Sequence, residues 1–174
     1  QLIYLSRKWE KLEASAIFVN NGMQYFEEEN EQTATDTKYT RTFGGNVSYK
    51  TKPVILAAGF YKQGGTNTAD KKVNAFMFGA NATFSFGESF SVNPGIEFHS
   101  GTSQKDAPAG ESNSFNPLYG TAHKFNGHMD YFFAGNHFNT VGLQDIFLKG
   151  LYKQNKFSAG IDFHLFSAPA DILD

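Results

Sequence analysis

Residues Lys72 to Gly101 alternate apolar and polar side chains with a period of two, in two runs that meet at a tight Gly87-Glu88 turn. In the first run Phe76, Phe78, Ala80, Ala82, Phe84 and Phe86 share one face, and Asn81, Thr83 and Ser85 share the other. In the second, Phe90, Val92, Ile96 and Phe98 alternate with Ser91, Asn93, Glu97 and His99. The hairpin therefore has a Phe-rich face that needs an apolar partner and an opposite face that needs water. A single layer between lipid and water meets both needs, and in lipid a sheet satisfies its backbone only by closing on itself. The expected fold is all-β, a transmembrane antiparallel up-and-down β-barrel.

Composition agrees with that reading. Of 174 residues, 19 are Phe, 8 are Tyr and 17 are Gly, a mixture rich in strand and turn formers. No stretch approaches eighteen consecutive apolar residues, which excludes a helical membrane span. A net charge of -2 offers no basic surface for nucleic acid. The absence of cysteine removes disulfides and thiolate metal sites, and is consistent with an outer membrane. Gln1 opens directly on a strand-like Gln-Leu-Ile-Tyr-Leu with no export signal, so the expectation is that the chain is a fragment of a larger barrel protein.

About seven strands follow from the alternation: Lys11 to Asn21, Thr37 to Lys50, Val54 to Gln63, Lys72 to Phe86, Ser89 to Gly101, Val141 to Lys153 and Lys156 to Ser167. Each is close to the roughly 9–11 residues that a tilted barrel strand needs. Ile17-Phe18-Val19 and Val54-Ile55-Leu56 are continuous apolar runs, equally compatible with buried strands of a soluble sandwich. Short turns at Lys50 to Pro53, Phe86 to Ser89 and Lys153 to Lys156 alternate with long polar stretches at Met23 to Asp36, Gly64 to Lys71 and Thr102 to Thr140. Bacterial outer-membrane barrels place short turns on the periplasmic side and long loops outside. Tyr49, Phe86, Phe90, Tyr152 and Phe157 flank the short turns, where an interfacial girdle belongs. Pro94 interrupts a strand, and a bulge at Pro94-Gly95 is the expected accommodation. An odd strand count does not close an ordinary bacterial barrel, so further strands are expected from outside this sequence.

The most distinctive words of the chain are Phe115-Asn116-Pro117-Leu118-Tyr119-Gly120-Thr121-Ala122-His123-Lys124-Phe125-Asn126-Gly127, then Asp130-Tyr131-Phe132 and Gly135-Asn136-His137. This run resembles the alginate export family of outer-membrane barrels, in its Bacteroidetes-type members, specifically over Phe115 to Phe166 and in pattern alone before that. The resemblance implies a monomeric porin-like barrel in the outer membrane of a Gram-negative bacterium, passing an anionic polysaccharide or similar solute. The inward positions depart from a strongly basic polyuronate path, since Glu97, Asp145 and Asp162 stand beside Lys149, His99 and His164.

Those six residues, with Asn81, Thr83 and Asn93, form the candidate lumen lining. Each is either a selectivity determinant or simply part of the polar interior that any wide barrel needs. Tyr119, His123, Lys124, Asp130 and His137 are candidate contacts of a constriction loop, whose aromatic residues would otherwise pack it against the wall. His123, His128 and His137 lack zinc-ligand spacing, and neither a metal nor a cofactor is expected. Glu27-Glu28-Glu29-Asn30-Glu31 reads as a solvated loop or a cation contact at the lipopolysaccharide surface. No Gly-x-Ser-x-Gly elbow occurs, and an enzyme is not expected. Three functions compete: solute passage through an outer-membrane barrel, a plugged structural or docking barrel in an envelope complex, and a soluble carbohydrate-binding sandwich. The partners expected are outer-membrane lipid and lipopolysaccharide, a polar or saccharide solute, and other envelope proteins.

Overall fold

A computed structural model describes residues 1–26, 36–118, 126–127, 132 and 140–173. Among these residues nine strands form one sheet: β1 (Leu2–Lys8), β2 (Leu12–Tyr25), β3 (Asp36–Thr51), β4 (Val54–Thr66), β5 (Lys72–Phe86), β6 (Phe90–His99), β7 (Glu111–Ser112), β8 (Leu143–Gln154) and β9 (Phe157–Ser167). Eight follow one another in spatial order as an antiparallel meander, and the two-residue β7 lies parallel against β5. No helix occurs among the described residues.

The seven expected strands are present, and β5 has the expected bounds. The eighth, β1, was legible as strand-like but not as a crossing, because Leu2-Ile3-Tyr4-Leu5 is apolar at every position and hides the alternation. With β1 included the long-strand count is even, and both ends of the meander lie at the long-connection end. Turns at 9–11, 52–53, 87–89 and 155–156 close the opposite end, with Gly87 and Asn155 at positive φ (64° and 54°).

Register separates the two faces cleanly. Phe18, Phe43, Lys62 and Phe76 run across β2 to β5 on one face, and Tyr152, Phe90 and Phe86 across β8, β6 and β5 on the same face. This outer face is apolar and uncovered: Phe43, Phe60, Phe84, Leu148, Ile161 and Leu165 are all exposed, with Phe163 at 61%. No second layer of described residues packs on it. Phe60, Phe76, Phe98 and Phe78 instead stack sideways on one another, with centroids 5.2 to 6.3 Å apart. On β5 the apolar stretch runs from Phe76 to Phe86, about 33 Å at ~3.3 Å per residue. A barrel-like tilt of about 40° would reduce that to about 25 Å, the height of a lipid-facing band. Arg41, Lys62 and Asn74 bound it at the long-connection end, where Lys62 donates to Asn74 Oδ1 (2.5 Å).

Pro94 behaves differently from expectation. The β5–β6 register is the same on both sides of it, so no bulge forms. Ser100 N donates to Phe76 O (2.9 Å), which fixes the pairing phase and turns the Pro94 nitrogen toward Ala82. The ladder lapses at Ala82 and Thr83 only, while Pro94 still pairs with Leu148 on the other side. Beside the lapse, Asn93 Nδ2 donates to Thr83 Oγ1 (2.7 Å) and Asn81 Oδ1 (3.2 Å). Neighbouring Gly95 is covered by the ring of Phe147, which occupies the space its Cβ would need.

Candidate functional site

The opposite face of the sheet is concave, polar and partly roofed. Its most ordered part is at the long-connection end, where residues Glu111 to Leu118 fold inward across β4, β5 and β6. β7 pairs with Lys72 and Val73, Ser100 Oγ donates to Asn113 O (2.7 Å), and Phe115 N donates to Ser100 O (2.9 Å). Asn116 N donates to Gln63 Oε1 (2.9 Å), and Gln63 Nε2 returns a bond to Asn116 O (2.6 Å). Gln63, 3% exposed, thus satisfies the backbone of a residue 53 positions away. Phe115, 4% exposed, fills the space between Val73 and Ala75, with Tyr61 and Met77 at its edge. Among the described residues this is the cluster that most resembles a packed core, and it fixes the strap rather than joining two layers.

The strap was expected further along the chain. Tyr119, His123, Lys124, Asp130 and His137 lie outside the described residues, as does the acidic run from Glu27 to Glu31. The three described residues within that motif lie on the inner face. Asn126 lines the concavity, Gly127 lies beside His164, and the Phe132 ring is 4.8 Å from that of Phe166. Gln63, Ser100 and Asn116 were not singled out from sequence, because their roles arise from pairings that no local pattern encodes.

All six charged or imidazole residues expected to line the lumen share this inner face, on β6, β8 and β9, and they occur as three pairs. His99 Nε2 lies 2.7 Å from Glu97 Oε1. His164 Nδ1 lies 3.0 and 2.9 Å from the two oxygens of Asp145. Lys149 Nζ is 4.0 Å from Asp162 Oδ2. Glu97 and Asp145 are cross-strand partners, so the first two pairs stand back to back across the β6–β8 seam. The grouping matters more than any single member: each charge meets an opposite or hydrogen-bonding partner, and the strip sets the carboxyl groups of Glu97, Asp145 and Asp162 against the single ammonium of Lys149 and two imidazoles. Asp145, only 2% exposed, belongs to the wall rather than to an open channel surface.

Burial ranks the pairs. Asp145→Ala removes a shielded partner from His164 and is expected to destabilise the protein by about 2–3 kcal/mol, tempered by relief of the adjacent Glu97 charge. Asp162→Ala breaks a longer, partly exposed contact and should cost less than about 1 kcal/mol. Urea unfolding of the protein measures both, and equal costs would remove the distinction.

The other half of the inner face is less polar than expected. Tyr4, Ile17, Tyr61 and Met77 follow one register row from β1 to β5, and Val19 lies a row above. The apolar run Ile17-Phe18-Val19 thus divides, with Phe18 outward and its neighbours inward. Between this half, the strap and the Glu97–His99 pair lies a cavity of about 900 Å³. No protein-family model, curated protein or solved structure matches the chain.

Proposed function

We propose that this sheet is a sector of an outer-membrane β-barrel through which a polar solute passes, with Glu111–Leu118 as a fixed constriction. The observation that carries the reading is the one-layer wall, apolar and uncovered on one face and lined with paired polar groups on the other. The alternation of short and long connections gives an orientation in which the strap lies toward the outer surface. Neither β1 nor β9 has a second neighbour among the described residues, and lipid tolerates no open edge. Joining β1 to β9 would make an eight-stranded barrel, whose interior side chains alone would fill. The strap and the cavity need more room, so the proposal places further strands beside both edges. The resemblance to the alginate export family over Phe115 to Phe166 supports a porin-like barrel. Three carboxyl groups against one lysine on the inner strip argue against a polyuronate as the solute.

Tight anchoring of the strap favours a second reading, a plugged barrel that serves as a structural or docking subunit of an envelope complex. Planar-bilayer recording of the full-length protein separates the two. Stable conductance steps are expected of a channel, and a silent protein that inserts normally would leave the plugged barrel. Extraction into buffer without detergent would sink both.

A further inference from the structure

We propose that the cavity beneath the strap binds a ring of an uncharged saccharide, a refinement that rests on the solute-channel reading and names its solute class. Three observations converge on it. The first is an aromatic platform. A Cβ on Gly44 would collide with the ring of Tyr61, which lies across that glycine and lines the cavity with Met77 at its side. Asn46 Nδ2 donates to the Tyr61 hydroxyl, so the ring is held from its far end as well.

The second is an unobstructed floor. Gly59 and Gly79 are direct cross-strand partners on the inner face. Asn46 occupies the space over Gly59, but a Cβ at Gly79 would meet only ordinary contacts, at 3.6 Å or more. Bare backbone beside an aromatic face accepts a flat ring with apolar C–H edges.

The third is the chemistry of the rim. It carries the amides of Asn46, Asn81 and Asn116, with the Glu97–His99 pair beside them. An amide both donates and accepts, as a sugar hydroxyl does, so the two satisfy each other without a net charge. No Lys or Arg is among the described residues lining the cavity, and Glu13, which is, pairs with Lys50 at 3.1 Å. A polyanion would find no cation among those described residues, and a neutral polyol finds both a stacking face and hydrogen-bonding partners. The volume lies within the range of ligand pockets.

Isothermal titration of the full-length protein in lipid nanodiscs, with maltohexaose, cellohexaose and the anionic hexagalacturonate as probes, tests this. Saturable binding of at least one neutral hexaose is expected, with hexagalacturonate about tenfold weaker or worse. Tyr61→Leu keeps apolar volume but removes the platform, and should weaken neutral binding about tenfold. Gly79→Phe fills the floor from a position that makes none of the strap's hydrogen bonds, and should abolish binding; it decides the matter if Tyr61→Leu does not fold. The proposal is overturned if neither neutral hexaose binds, if hexagalacturonate binds as tightly, or if Gly79→Phe binds like the parent. Conductance of the same preparation keeps the two ideas apart. A silent protein that binds a neutral hexaose loses the channel and keeps the site, whereas a conducting protein that binds none loses only the site.

Discussion

Phe115→Ala is expected to destabilise the protein by about 3–5 kcal/mol and to raise single-channel conductance several-fold. The energetic part follows from removing a buried aromatic ring from between Val73 and Ala75, where Tyr61 and Met77 touch only its edge. The conductance part follows from what the ring holds. Phe115 is the apolar anchor of a segment otherwise tied by Gln63–Asn116 and Ser100, and those bonds exchange readily with water once the ring is gone. Pro108→Ala, in the exposed part of the same connection, should leave both quantities unchanged. Urea unfolding in vesicles and bilayer recording check the two parts separately. A destabilised variant with parental conductance would remove the strap from the solute path.

The second large effect distinguishes the two faces. Phe60→Arg, in the middle of the outer apolar surface, should cost about 2–4 kcal/mol when the protein is unfolded from a bilayer. Ser48→Arg, on the inner face beside Glu13, should cost less than about 1 kcal/mol, because it meets water and a carboxylate. Such an asymmetry requires hydrocarbon on one side only. If both substitutions are tolerated equally, the outer Phe residues do not contact lipid and the channel account fails with them.

How much of this could be read in advance depended on the range over which each feature is encoded. Side-chain alternation is local, so β5, β6, β8 and β9 and their two faces were legible residue by residue. The shared inner face of Glu97, His99, Asp145, Lys149, Asp162 and His164 follows from parity alone. Their pairing does not, because Glu97 meets Asp145 only once the 43-residue separation between β6 and β8 collapses into adjacency. β1 and the division of Ile17, Phe18 and Val19 were obscured where both faces carry apolar residues. At Pro94 the lost donor pointed to a bulge, but pairing with Leu148 kept the strand straight. The strap was the least legible element, since Gln63, Ser100 and Phe115 become a unit only through long-range packing.

The lapse of pairing at Ala82 and Thr83 leaves a weak point on the line between β5 and β6, which stay paired on both sides of it. Glu111 to Leu118 leaves the β6 side and fastens onto β4 and β5, so it works as a stitch across that line. Loosening the stitch should therefore let amide protons near Ala82 exchange with solvent well before those of β2, β3 or β8.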